Sequence, residues 1–108
     1  MYTVKIMFDY TKDIVWLRDI NDEWTVDCLS LVEEDEIIKD LEKKIYDLYA
    51  EFISFDTDIN DIVYNYEGMR KDKQKMLALL KKLNDRLNEI NDGSFIVEDL
   101  LTPYWEKL

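Results

Sequence analysis

Residues 30–55, SLVEEDEIIKDLEKKIYDLYAEFISF, hold a long regular pattern of apolar residues. Apolar positions recur there at steps of three or four residues: Ile37, Leu41, Ile45, Leu48, Phe52 and Phe55. That spacing places them on one side of an α-helix. Ser30 followed by Glu33 has the spacing of a capping box, in which each side chain bonds the backbone amide of the other residue. The pattern predicts one long amphipathic helix over about 31–55, capped at Ser30.

A second helix is expected over about 69–92. Its apolar stripe has the same spacing and comprises Met69, Met76, Leu80, Leu83, Leu87 and Ile90. This helix is rich in Lys and Arg, whereas the first is rich in Asp and Glu, so we expect an antiparallel pair with matched charges. Gly93 follows the last apolar position and is expected to end the helix in the left-handed conformation.

The segments outside the two helices contain alternating or β-favouring residues, which are typical of short strands. The predicted strands are 2–9, 13–18 and 94–99, with a further short strand at 24–27. The element order β-β-α-α-β predicts an α+β fold of two layers, in which a small antiparallel sheet packs against the antiparallel helix pair.

The composition is that of one globular domain spanning 1–108. Of its residues 47% are hydrophobic and 36% are charged, a mixture unlike that of disordered chains. The single Cys28 excludes an internal disulfide and fits a reducing, cytoplasmic setting. We expect neither a signal peptide nor a membrane span, because no apolar run has the required length and flanks.

The net charge of −11 is unevenly distributed. Residues 1–67 hold 18 acidic and six basic residues, whereas residues 68–108 hold seven acidic and eight basic ones. Such a surface repels nucleic acid and anionic lipid and attracts basic proteins. Solubility alone is the other interpretation of this charge.

The residues that most enzymes use are missing or isolated. The chain contains no His, so a His-based general base, a catalytic triad and a His-ligated metal are excluded. It has no glycine-rich phosphate loop, and Cys28 has no basic neighbour in sequence that would activate it. We therefore expect a protein that is not an enzyme and needs no cofactor, and we rank a site of paired carboxylates last.

The segment 56–67 partly matches a calcium-binding loop. Asp56, Asp58 and Asn60 occupy positions 1, 3 and 5 of a twelve-residue frame, and Glu67 occupies position 12. Position 6 should be glycine for the sharp turn, but here it is Asp61. An acidic connection between helices with an accidental match is the favoured interpretation, and calcium binding is kept as an alternative.

Several aromatic residues lie among acidic ones, a composition typical of protein interfaces: the ring supplies buried area and the acids steer a basic partner. The candidate partner-binding residues are Asp22, Glu23, Trp24, Asp56, Asp58, Asp61, Tyr64, Tyr66 and Glu67. The other interpretation, which we favour for any single aromatic and expect for Trp16, is that these aromatics fill the core, and Tyr66 and Trp24 are the better interface candidates.

The chain as a whole resembles the small cytosolic proteins of bacterial polymorphic-toxin and contact-dependent growth inhibition loci. The resemblance rests on element order and on these segments: Met7-Phe8-Asp9-Tyr10, Val15-Trp16-Leu17-Arg18-Asp19, Arg86-Leu87-Asn88 and Phe95-Ile96-Val97-Glu98. It implies an immunity protein that binds a cognate toxin domain, often a basic nuclease, and blocks its active site or substrate groove. No functional residue is carried over from it.

Inhibition of a cognate toxin domain is therefore the leading hypothesis, with no direct contact to nucleic acid or membrane. One alternative is an inhibitor that mimics nucleic acid, whose carboxylates would imitate phosphates on a DNA- or RNA-binding protein. The basic second helix argues against such a mimic. Whether the chain is a monomer or a homodimer stays open.

Overall fold

The computed structural model of this chain describes residues 2–8, 14–18 and 30–108. Within these residues the chain forms five strands and five helices, which confirms the α+β class. The elements are β1 (Tyr2–Ile6), β2 (Val15–Arg18), α1 (Ser30–Glu33), α2 (Glu36–Ala50), β3 (Ile53–Asp56), β4 (Asp61–Tyr64), α3 (Tyr66–Lys71), α4 (Lys73–Ile90), β5 (Phe95–Asp99) and α5 (Leu101–Glu106). The strand expected at 24–27 lies outside the described residues.

The main sheet has the strand order β2-β1-β5 and is mixed. β1 pairs antiparallel with β2 but parallel with β5, so the expectation of a purely antiparallel sheet is wrong. A parallel pair needs a long crossover, and the helices between β2 and β5 supply it. Flanking bonds extend the parallel pair at both ends: the Tyr2 amide donates to the Ser94 carbonyl at 3.0 Å, and the Leu100 amide donates to the Ile6 carbonyl at 3.0 Å.

The helix predicted over 31–55 is shorter and is interrupted near its start. α1 is a single turn, and α2 begins after Asp35, whose Oδ1 accepts the Ile38 amide at 2.9 Å. The cap of the long helix is therefore Asp35 and not Ser30. Because the helix restarts there, Ile38 is buried at 2% exposure whereas Ile37 is 51% exposed. The C-terminal end of the prediction is also wrong, because α2 stops at Ala50 and β3 follows.

The helix predicted over 69–92 forms as two pieces, α3 and α4, which meet at Asp72. α3 starts earlier than expected because the Asn65 side chain accepts the Gly68 amide at 3.0 Å and caps it. Gly93 has a φ of +93°, which confirms the left-handed conformation expected at that glycine. Ile90, the last position of the predicted apolar stripe, is half-buried. The other five positions of the stripe are buried, as predicted: Met69, Met76, Leu80, Leu83 and Leu87.

One hydrophobic cluster joins the sheet, α2, α4 and α5. Arg86, near the end of α4, binds Asp35, just before α2, as expected for antiparallel helices. Within the described residues the other ion pairs of the helices each lie within a single helix. The expected matching of charges along the two helices is therefore not observed. The two helices therefore pack through their apolar stripes. No helix in the described part of the chain is long and apolar enough to span a bilayer.

Candidate partner-binding site at the β3–β4 hairpin

β3 and β4 form a two-stranded hairpin that is separate from the main sheet. Ile53 lies opposite Tyr64, and Asp56 lies opposite Asp61, with residues 57–60 as the connecting loop. The loop is closed by an Asx turn, in which Asp56 Oδ1 accepts the Asp58 amide at 2.9 Å, and Asn60 has a φ of +52°. A hairpin thus replaces both the end of the predicted first helix and most of the predicted connection at 56–67.

The two faces of this hairpin differ in polarity. Residues that are directly paired across the strands point to the same face, and successive pairs alternate between faces. One face therefore carries Ile53, Phe55, Ile62 and Tyr64, and the other carries Ser54, Asp56, Asp61 and Val63. We call the first set the apolar face of the hairpin.

The apolar face is largely open to solvent. Phe55 is 60% exposed, Ile62 37% and Tyr64 38%, and no residue of β4 is buried. An isolated two-stranded hairpin is of marginal stability in water, and exposed apolar patches commonly mark interaction sites. The hairpin therefore has the properties of a surface that is completed by a partner.

Four tyrosines from four elements lie next to the base of the hairpin, and we call Tyr49, Tyr64, Tyr66 and Tyr104 the tyrosine cluster. The rings of Tyr64 and Tyr66 stack with centroids 5.9 Å apart. On its other side Tyr49 stacks on Phe8 at 3.6 Å, which ties the cluster to the segment after β1. Behind it Trp105 is fully buried and lies edge-on to Tyr104, so the core supports these rings.

Two members of the tyrosine cluster, Tyr49 and Tyr104, have raised pKa values and are uncharged at neutral pH. Burial raises the pKa of Tyr49, and the neighbouring Tyr64 hydroxyl raises it further. Burial also raises the pKa of Tyr104, with smaller contributions from Tyr66 and Tyr64. The cluster thus offers aromatic ring faces, and a ring face attracts a Lys or Arg side chain through the cation–π interaction.

The hairpin segment itself is acidic. From Glu51 to Glu67 the chain contains five carboxylates and no Lys or Arg. Asp56 and Asp61 lie directly opposite each other on one face, an arrangement in which like charges destabilise the strand pair. A cationic group from a partner would relieve that repulsion. The hairpin therefore combines an exposed apolar face with a carboxylate face that favours a basic partner.

The structure brings together part of the predicted site. Asp56, Asp58 and Asp61 lie on the hairpin, Tyr64 and Tyr66 belong to the tyrosine cluster, and Glu67 is in the first turn of α3. Asp22, Glu23 and Trp24 lie outside the described residues. Trp16, which we expected in the core, is half-buried.

Four residues of this surface were missed by the sequence reasoning: Phe55, Ile62, Tyr49 and Tyr104. The alternation of Ile53 with Phe55 and of Ile62 with Tyr64 was the available signal for the hairpin. Tyr49 and Tyr104 are far apart in sequence, and no local pattern joins them.

The calcium alternative loses its structural premise. A calcium loop of that type lies between two helices, whereas Asp56 ends a strand and Asp61 begins the next one. In residues 2–8, 14–18 and 30–108 no three His, Cys, Asp or Glu side chains are grouped so that they could hold a metal ion. The acidic residues of this segment thus form a surface and not a coordination cage.

Comparisons of the chain with protein-family models, curated proteins and solved structures found no match. A fold class alone does not determine function, because the same architecture hosts many activities. The functional inference therefore rests on the geometry and charge of the hairpin and the tyrosine cluster.

Proposed function

We propose that this chain is an inhibitor that acts by binding a basic protein, as an immunity protein binds its cognate toxin domain. The observation that supports this proposal most strongly is the exposed apolar face of the hairpin within a segment of five carboxylates and no cation. Interface anchors are typically aromatic residues surrounded by polar groups. Phe55, Tyr64 and Tyr66 fit that description.

The carboxylates and the apolar groups of this surface contribute to binding in different ways. The carboxylates raise the rate of encounter with a positively charged surface, and the apolar face and tyrosine rings hold the complex after contact. A nuclease domain is a suitable target, because the groove that holds its nucleic acid must be basic. Occupation of that groove would exclude the substrate without any chemical step.

Mimicry of nucleic acid is less well supported by the surface. A mimic needs rows of carboxylates spaced like phosphates, whereas α3 and α4 expose Arg70, Lys71, Lys75, Lys81 and Lys82. The segment from Glu51 to Glu67, by contrast, carries five carboxylates and no cation. The proposal is therefore recognition of a protein surface that combines apolar and basic groups.

The experiment tests the protein encoded by the neighbouring gene for binding and for loss of its activity. We expect a one-to-one complex in calorimetry and inhibition of that protein at equimolar amounts. Tyr66→Ala and Asp58→Lys should each weaken the complex by at least about tenfold while the melting temperature changes little. Asp85→Lys, an equal charge change at an exposed position of α4, is the matched control and should bind like wild type.

Two results would contradict the proposal. One is a neighbouring protein that neither binds nor loses activity at low salt. The other is a complex in which Tyr66→Ala, Asp58→Lys and Asp85→Lys all bind with the wild-type affinity, since the binding site would then lie elsewhere.

A further inference from the structure

Each strand of the hairpin has backbone N–H and C=O groups that point outward, away from the other strand. The Asn65 amide donates to the Phe52 carbonyl at 2.7 Å, so this flanking pair is hydrogen-bonded. Bonded and non-bonded pairs alternate along an antiparallel ladder. The pairs Ile53–Tyr64 and Phe55–Ile62 are therefore non-bonded, and their N–H and C=O groups point away from the hairpin.

The β4 edge is partly blocked by its own side chain. Asp61 Oδ1 accepts the Ile62 amide at 2.8 Å, which agrees with an outward direction for that amide. A charged side chain on an edge strand is one of the devices that prevents unwanted strand pairing. Asp61 thus protects β4.

Within the described residues the β3 edge has no such protection. Among the described side chains none accepts the amide of Ile53 or Phe55, and Phe55 is the most exposed residue of the apolar face. β3 also lacks a proline or a bulge in its pairing with β4. An open edge beside an exposed apolar face is a template for an additional strand.

We propose that the β3 edge accepts an extended segment of a basic partner, which extends the hairpin to a three-stranded sheet. This inference rests on the proposed function and specifies how the partner binds. Alternating side chains of such a segment would point to the two faces of the hairpin in turn. Aliphatic side chains would lie beside Phe55 on the apolar face, and Lys or Arg side chains would lie on the face of Asp56 and Asp61.

The charge of the hairpin favours this partner over a second copy of the chain. Two copies would bring together two segments with five carboxylates each and no cation between Glu51 and Glu67. Like charges in a desolvated interface oppose association, whereas alternating cations neutralise the carboxylates.

The first experiment uses the full chain and the blocked peptide KVKVKVK, with EVEVEVE as the control of opposite charge. Backbone amide exchange is followed by NMR with the peptide in excess. We expect KVKVKVK to slow exchange at Ile53 and Phe55 by at least about tenfold and to leave Ile62 and Tyr64 unchanged, because only pairing of the β3 edge protects the first two. EVEVEVE should have no effect.

The second experiment removes the amide itself. Phe55→Pro deletes the outward N–H and the ring, whereas Phe55→Ala deletes only the ring, and an edge position with an outward N–H accommodates proline. We expect Phe55→Pro to bind KVKVKVK at least about tenfold more weakly than Phe55→Ala. On the β4 edge, Ile62→Pro and Ile62→Ala should bind it equally, and melting curves confirm that all four variants fold.

Several outcomes would overturn the strand-addition proposal: protection at Ile62 and Tyr64 instead, no protection at all, equal effects of both peptides, or dimers of the chain paired through Phe55.

The inhibitor proposal is tested separately. If the neighbouring protein binds through Tyr66 but the Phe55 amide exchanges freely in that complex, strand addition fails and inhibition stands. If that protein does not bind while KVKVKVK protects Phe55, inhibition fails and the β3 edge remains a strand acceptor.

Discussion

Asp35 connects the beginning of α2 with the end of α4. Its Oδ1 accepts the Ile38 amide, and its carboxylate receives Arg86 Nη2 at 2.6 Å and Nε at 3.1 Å. The hydrogen bond from Arg86 lowers the pKa of Asp35, and the Ile38 amide lowers it further, although burial partly opposes both. One side chain therefore caps a helix and holds two helices together.

Loss of the Asp35 charge should destabilise the fold in a way that depends on pH. A lowered pKa means that the ionised carboxylate stabilises the folded chain above its ordinary value of 3.8, and that this stabilisation disappears as the pH falls through the folded-state pKa. We expect Asp35→Ala to lower the free energy of unfolding by about 1–2 kcal/mol at neutral pH through loss of the cap alone. In urea titrations the difference in the free energy of unfolding between wild type and Asp35→Asn should become smaller as the pH falls below 3.8. A difference that stays constant with pH would contradict this account.

Gly68 lies where a larger side chain would collide with its neighbours, whereas its backbone conformation does not require glycine. A Cβ there would lie 2.7 Å from Asn65 Nδ2 and 3.2 Å from Phe52 Cδ1. Alanine favours helices over glycine by about 1 kcal/mol, but Gly68→Ala must displace the Asn65 side chain that caps α3. We expect Gly68→Ala to lower the melting temperature. In the Asn65→Ala background the same change should be less harmful, and strictly additive effects would show that the two residues are uncoupled.

The helices and the hairpin differ in how far their sequences determine them. The α4 stripe was predicted almost completely, because a helix of this length repeats its period several times. The end of the first helix was predicted wrongly because Phe52 and Phe55 continue the helical spacing of apolar residues. The strands β3 and β4 have only four residues each, so their alternation is a weaker signal than that spacing. The tyrosine cluster could be predicted only in part, since Tyr64 and Tyr66 are neighbours in sequence while Tyr49 and Tyr104 meet them through tertiary packing.

Removal of the carboxylate that protects β4 should increase self-association. Asp61→Ala frees the Ile62 amide and removes one charge, whereas Asp58→Ala removes one charge from the loop and leaves that amide bonded. We expect Asp61→Ala to show a concentration-dependent rise in mass by sedimentation, and Asp58→Ala to stay closer to wild type. Equal behaviour of the two variants would mean that charge alone, and not the edge, controls association.

The whole molecule has a net charge of −11, and the hairpin segment from Glu51 to Glu67 carries five carboxylates and no cation, whereas α3 and α4 expose several cations. Such an asymmetric field orients an approaching basic protein before contact. In the proposed complex aromatic contacts act only at short range, so we expect them to control dissociation. The rate of encounter and the lifetime of the complex should therefore respond to different changes.

Salt should act on the rate of association. Raising ionic strength from about 0.05 M to about 0.5 M shortens the screening length several-fold, and we expect the association rate constant to fall by at least about tenfold with little change in dissociation. Tyr66→Ala should show the opposite pattern, with faster dissociation and an unchanged association rate. Surface plasmon resonance separates the two rate constants, and a salt effect confined to dissociation would contradict electrostatic steering.

The parallel pairing of β1 with β5 has a consequence for synthesis. Tyr2 lies beside Phe95, and the two are 93 positions apart in the chain. At translation rates of about 5–20 residues per second, β1 leaves the ribosome roughly 5–20 s before its parallel neighbour β5 is made. During that interval the sheet lacks its β5 edge, and the core lacks Phe95, Leu101 and Trp105. Newly made chains therefore complete their core only after β5 and α5 have been synthesised, and the order of the strands sets a minimum delay before the fold can close.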